Sequence, residues 1–278
     1  MRYRLFGLTV DSEFSLPLLP DVSRKPTDVK ITLGQVEPGP DVVWRQQLPI
    51  AFSCTRDNQQ IILSWPTMRF AVSPNRIVVA ADDLELAAIS LFQSSWSVLL
   101  TARGREALHA SVVARDGRAV AVAGASGSGK STAALALLDS GWSLVSDDIL
   151  TFDDAGNALP GAPFVRLRPD RALGRAGELD VAGKLRFRPS LCVEPQPISA
   201  IFIHDDAHTE IRRLVGASAV GALLSNVYND VITHQGQAMR RFEISMKLAD
   251  EVPIFGIPPR SLTATQLETM ANDIIATT

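Results

Sequence analysis

Eight consecutive residues, Gly124-Ala125-Ser126-Gly127-Ser128-Gly129-Lys130-Ser131, form a complete G-x-x-x-x-G-K-[ST] (Walker A) sequence. Glycines at these positions let successive backbone N–H groups converge on phosphate oxygens, and a helix opening after them adds the positive end of its dipole. Lys130 is then placed to reach the β and γ phosphates of ATP, and the Ser131 hydroxyl to ligate Mg2+. Thr132 extends the nucleotide-binding stretch into the helix.

The neighbouring elements have to place this loop and bring partners to it. An apolar strand, Ala119 to Ala123, precedes it; an Ala/Leu-rich helix, Ser131 to Ser140, follows and stops at Gly141. A second apolar strand, Trp142 to Ser146, then delivers Asp147 and Asp148. A strand, crossover helix and strand of this length predicts a right-handed βαβ unit, with parallel strands whose carboxyl ends lie together. Both aspartates therefore arrive beside the loop.

Adjacent carboxylates on an extended chain point to opposite sides, so they divide the work. One can hold the metal or its waters, and the other can take the proton of an attacking hydroxyl. The expected division gives Asp148 to the metal, with Ser131, and makes Asp147 the base with His109 nearby; the reverse division stays open. His109 lies in the apolar run Leu108 to Arg115, which reads as a strand turning at Asp116-Gly117 into the loop strand. A lone strand histidine is more often structural than catalytic.

The order of His109, a short hairpin, Gly-Ala-Ser-Gly-Ser-Gly-Lys-Ser, a helix ending in Gly-Trp, and Leu-Val-Ser-Asp-Asp resembles the catalytic domain of HPr serine kinase/phosphorylase. Close resemblance spans roughly forty residues, and it is specific because the aspartates follow the loop unusually soon. Weaker similarity continues through Pro160-Gly161, Arg166-Leu167-Arg168-Pro169 and Leu248 to Pro253. The resemblance implies that His109, Lys130, Ser131, Asp147 and Asp148 surround a transferred phosphate, with an aspartate as base toward a serine. Thr132 stands where family members usually carry Glu, and their downstream glycine-rich signature is not recognisable here. The better match is to divergent HPr-kinase-like proteins, some of which phosphorylate a serine of a ribosomally made peptide such as a lasso-peptide precursor.

Composition sets the outer bounds. A chain of 278 residues with 46% hydrophobic and 21% charged residues suits one large or two modest globular domains. A net charge of −3 argues against nucleic acid or an anionic membrane as partner. The two cysteines, Cys54 and Cys192, lack metal-type spacing, and no run approaches eighteen apolar residues, so a cytoplasmic protein is expected. A homo-oligomer stays open.

From Met1 to Ala81 the pattern predicts a small, mainly β domain of antiparallel strands over Tyr3–Val10, Val29–Leu33, Ala51–Thr55, Gln60–Trp65, Met68–Ser73 and Arg76–Ala80. Turns are expected at Arg56-Asp57-Asn58 and Ser73-Pro74-Asn75. Trp44 and Trp65 read as packing rather than the walls of a peptide groove. A capping box at Asp82 to Glu85 opens a helix to Thr101 that bridges to the kinase domain, 82–278.

Past the aspartates, Ile149 to Phe152 reads as strand and Asp153 to Asn157 as a turn. The alternation in Phe164 to Pro169 aims Arg166 and Arg168 to one face, toward a phosphate, an acidic acceptor or solvent. Arg186 to Pro189 suits a loop over the site. His204, Asp205, Asp206 and His208 read as a turn after the strand Ile198–His204, not as a metal cluster. Helices are expected over Gly216–Tyr228, Ala238–Leu248 and Ser261–Ala276, the last capped by Ser261 or Thr263, with a strand at Val252–Ile257. Arg240-Arg241 is expected to be exposed or directed at phosphate.

The sequence thus predicts an α/β protein, a P-loop HPr-kinase-like core beside a smaller β domain. Its expected activity is ATP- and Mg2+-dependent transfer to a serine hydroxyl of a peptide or protein. The second reading is a nucleotide-binding switch or scaffold with weak ATPase activity.

Overall fold

The computed structural model describes residues 1–46, 52–57, 60–172, 174–205, 210–228, 237–258 and 264–277. Asn58, Asp206, His208, Ser261 and Thr263, and the start of the strand expected from Ala51, lie outside the described residues. Internal contacts divide the chain into two compact units, one taking in Met1–Arg105 and the other Glu106–Tyr228 with the C-terminal elements.

The first unit is one eight-stranded sheet. Its strands are β1 (Arg2–Leu5), β2 (Leu8–Ser12), β3 (Val29–Leu33), β4 (Asp41–Gln46), β5 (Phe52–Arg56), β6 (Ile61–Trp65), β7 (Met68–Ser73) and β8 (Arg76–Ala81), in the order β1-β2-β3-β8-β7-β6-β5-β4. The sheet is mixed rather than antiparallel, because β3 runs parallel to both β2 and β8. The β2–β3 connection buries Phe14, Leu16 and Leu18, and so acts as a crossover where a hairpin would have reversed the chain. The single strand expected over Tyr3–Val10 breaks at Phe6-Gly7, both at positive φ, which is the backbone of a tight hairpin turn. Trp44, Phe52, Trp65 and Phe70 follow one another at centroid spacings of 5.5, 4.6 and 5.7 Å, a packed aromatic row.

The helical stretch belongs to this unit, so the boundary falls after Arg105 and not after Ala81. It comprises α1 (Leu84–Ser90), a π-helical turn (Leu91–Ser95) and α2 (Trp96–Ala102). Asp83, not Asp82, is the cap: its Oδ1 accepts from the backbone N–H of Glu85 at 2.9 Å and of Leu86 at 3.0 Å. Trp96 is fully buried, its ring 6.3 Å from that of Phe6. Among the described residues, Leu84–Ala102 is the one helix long and apolar enough to cross a membrane, but 61% of it is buried inside the protein, as a core helix requires.

The second unit contains β9 (Ala110–Arg115), β10 (Arg118–Ala123), α3 (Lys130–Asp139), β11 (Ser143–Ser146), β12 (Asn157–Ala158), β13 (Val165–Leu167), β14 (Glu178–Leu179), β15 (Leu185–Phe187), β16 (Gln196–His204), β17 (Arg212–Leu214), α4 (Ala217–Leu224), α5 (Gln237–Glu251), β18 (Ile254–Ile257) and α6 (Ala264–Thr277). Its main sheet runs β11-β9-β10-β16-β18-β17, with β12 against β16. Alternation along β10 fills two cores: Ala119, Ala121 and Ala123 pack with Leu223 of α4 and Leu248 of α5, while Val120 and Val122 pack with Leu137 of α3 and Leu267 of α6. Helices thus cover both faces.

The topology refines the expected βαβ unit. β9 pairs antiparallel with both β10 and β11, so β10 and β11 run the same way but are not neighbours. The entry of β9 therefore lies between the exits of β10 and β11, at one edge of the sheet. His109, which precedes β9, is carried there.

Three further expectations change. Leu150 and Phe152 make only isolated pairings, with Leu108 and Ala158. α4 stops at Leu224, and the turn beyond it sets Val227 opposite Leu108. Arg186 and Phe187 are not in a loop but in β15, the middle strand of a second sheet, β13-β15-β14.

Candidate functional site

The loop begins where β10 ends. Gly124 has φ +154°, and a Cβ there would stand 2.7 Å from Ser128 Oγ and 2.9 Å from His204 Cβ, so glycine is required. Gly129, at φ +111°, starts α3 at Lys130. Lys130 is buried, its Nζ donating to the carbonyls of Gly124 at 2.9 Å and Ala125 at 3.0 Å. Burial lowers its pKa, against the pull of Asp148 and Asp147. Ala125, Ser126 and Gly127 are exposed at the tip of the loop.

Asp147 lies beneath the loop, 8% exposed. Ser111 Oγ donates to its Oδ1 at 2.5 Å and Ser131 Oγ at 3.1 Å, and the Arg166 backbone N–H donates to Oδ2 at 3.3 Å. Burial, then the charge of Asp148, push its pKa up to about 6, while the three donors pull the other way.

Asp148 faces elsewhere. It sits in the left-handed region at φ +67°, within a turn where Ser146 Oγ donates to the Ile149 carbonyl at 2.6 Å. Its side chain remains a quarter exposed, with Oδ1 3.6 Å from His109 Nε2. Burial raises its pKa, but His109, Lys184 and Lys130 outweigh that and hold it below the usual carboxylate range.

His109 is fixed from three directions. Its backbone N–H donates to the Asn226 carbonyl at 2.7 Å, Leu108 pairs with Leu150 and Val227, and its ring meets Tyr228 edge-on with centroids 4.9 Å apart. Burial, then the charges of Asp148 and Asp147, push the Tyr228 phenol pKa up, so it stays neutral.

A cavity of about 440 Å³ opens over these groups. Ser126, Gly127, Gly129, Lys130, Ser131, Thr132, His109 and Asp148 line it, together with Arg166, Arg168, Arg171 and Lys184. The structure thus brings His109, Lys130, Ser131, Asp147 and Asp148 together. It reverses the expected pairing: Asp147, not Asp148, contacts Ser131, and Asp148, not Asp147, contacts His109. The reason is the left-handed backbone at Asp148, which replaces simple strand alternation.

The Ser131 hydroxyl and the Asp147 carboxylate form a pair of hard oxygen donors that fits Mg2+. A buried carboxylate with a raised pKa is also a group that a cation would satisfy. Among the described residues no group of three His, Cys, Asp or Glu could hold a metal, so the remaining ligands would come from phosphate oxygens and water.

Ser111, Asp180, Lys184 and Tyr228 escaped the sequence reading. Ser111 carried one usable signal, a hydroxyl on an otherwise apolar strand; the others depend on tertiary contacts. Arg241 does not point at phosphate but pairs with buried Glu106 at 3.0 Å, and Asp205 pairs with Arg212 at 3.4 Å.

No family model and no curated protein match the chain. Among solved structures it is similar to the HPr(Ser) kinase/phosphatase from Coxiella burnetii, with 15% identity and a TM-score of 0.32 over 62% of this chain and 97% of that one. A likeness so distant carries no argument, and function has to be read from the site itself.

Proposed function

We propose that the chain is a kinase that transfers the γ-phosphoryl group of Mg·ATP to a serine hydroxyl of a peptide or protein in the cytoplasm. One observation carries this reading: Asp148 beside His109 lines one cavity with Lys130 and Ser131, and the buried Asp147 accepts a hydrogen bond from that Ser131. Ser131 and Asp147 would hold Mg2+, which when bound neutralises phosphate charge. Lys130 exchanges its loop carbonyls for the β and γ phosphates. Asp148, partly exposed and steadied by His109, accepts the serine proton as the serine oxygen bonds to phosphorus and the bond to the β-phosphate oxygen breaks.

The alternative is a nucleotide-binding switch or scaffold with weak ATPase activity. A switch needs the loop and a metal carboxylate, but not a second carboxylate set beside a histidine in the same cavity. Incubation with ATP, Mg2+ and serine-containing peptides, followed by mass spectrometry, separates the two. Phosphopeptide supports the kinase; ADP release with no acceptor modified under any condition supports the switch.

A further inference from the structure

The cavity lining carries cations that the proposed chemistry has not used. Arg166 lies at the centre of β13, where its backbone N–H reaches Asp147. Its guanidinium is held by Asp180, Nε to Oδ2 at 2.7 Å, with side chains 7% and 0% exposed. Among the described residues no hydrogen bond engages its two Nη groups. The other oxygen of Asp180 accepts from the backbone N–H of Ala182 at 2.9 Å and of Lys184 at 3.0 Å. Those bonds close the turn between β14 and β15, with Asp180 N–H donating to the Lys184 carbonyl at 2.8 Å. One carboxylate therefore fixes both an arginine and the turn that presents a lysine, and both cations line the cavity with Lys130.

We propose that Asp180 is a positioning residue for an oxyanion subsite formed by Arg166 and Lys184, which takes the terminal phosphate of the nucleotide. A guanidinium bound through Nε alone keeps its Nη donors free to fork onto an oxyanion. Burial of the ion pair removes the rotamer freedom that a surface arginine would lose on binding. Lys184 adds a second cation to the same cavity lining, so the terminal phosphate meets it as well as Arg166. Arg168, 62% exposed and paired with Asp170, is not part of this device. The inference rests on the proposed nucleotide site and deepens it.

The test compares ATP with ADP, in Mg2+, by calorimetry on the full chain. Lys184→Met leaves the Asp180–Arg166 pair intact, and Asp180→Asn keeps an acceptor for the turn but removes the charge holding Arg166. Each is expected to weaken ATP binding by about tenfold and leave ADP within about twofold, the effect of losing a charge-assisted contact to one phosphate. A purely structural role would weaken both nucleotides alike, and equal losses, or none, overturn the subsite while leaving the nucleotide site standing. Failure of the unsubstituted protein to bind either nucleotide overturns the nucleotide site and the subsite together.

Discussion

His109 Nε2 lies 3.6 Å from Oδ1 of Asp148. Asp147, one residue earlier, instead accepts hydrogen bonds from Ser111, Ser131 and the Arg166 backbone. Two neighbouring carboxylates are thus placed in different surroundings, one beneath the loop and one at the cavity. Such divergence is what a site needs when one acid serves a cation and the other a proton.

Lys130 is the first residue to test. In this structure its ammonium braces the loop through two carbonyls, and nucleotide would replace them. Lys130→Ala is expected to lower phosphoryl transfer by at least about a hundredfold. Ser131→Ala is expected to be milder and partly restored by raised Mg2+, since it removes one metal ligand only. Transfer rates across a Mg2+ titration check both.

Gly124→Ala probes the loop through its backbone. The added Cβ meets Ser128 and His204 at distances that force a shift, at a φ that side chains rarely adopt. A stability loss of roughly 2 kcal/mol is expected, together with loss of nucleotide affinity. Urea unfolding and calorimetry report the two separately.

Asp180 gives a pH prediction. Burial raises its pKa, but Arg166 and the turn N–H groups outweigh burial and hold it below the usual carboxylate range. A depressed acid stabilises the fold above its unfolded pKa, and that contribution is lost as pH falls through the folded one. Asp180→Asn is therefore expected to cost about 2 kcal/mol at pH 7, with the gap to the unsubstituted protein closing below about pH 4. Thermal unfolding at pH 7 and pH 3 measures it; an equal gap at both removes the ion pair as the cause.

Much of the site was legible because local sequence dictates it. The glycines and Lys130-Ser131 define the loop, and the strand after α3 places both aspartates. The β9–β10 hairpin was equally plain from Asp116-Gly117, at φ +52° and +75°. The division of labour between Asp147 and Asp148 was not legible, because it depends on one left-handed residue that only the surrounding turn selects. Asp180 and Lys184 were hidden for another reason: the Asp180–Arg166 ion pair joins the β14–β15 turn, which carries Lys184, to β13, and no periodicity links them. In the first unit, β4 went unseen because Val42 and Trp44 on an exposed strand give no clean alternation. The parallel β2–β3–β8 arrangement followed from a crossover whose apolar residues looked like a mere connection.

The most direct measurement is ATP affinity in Mg2+, paired with phosphopeptide yield, for Asp147→Asn and Asp148→Asn. The account predicts that Asp147→Asn loses Mg2+-dependent nucleotide affinity, because asparagine cannot neutralise the cation beside Ser131. It predicts that Asp148→Asn binds Mg·ATP nearly as well as the unsubstituted protein and transfers no phosphate, because asparagine cannot take the serine proton. The opposite pattern would return the metal to Asp148, and phosphorylation at the unsubstituted rate by both variants would contradict the kinase itself.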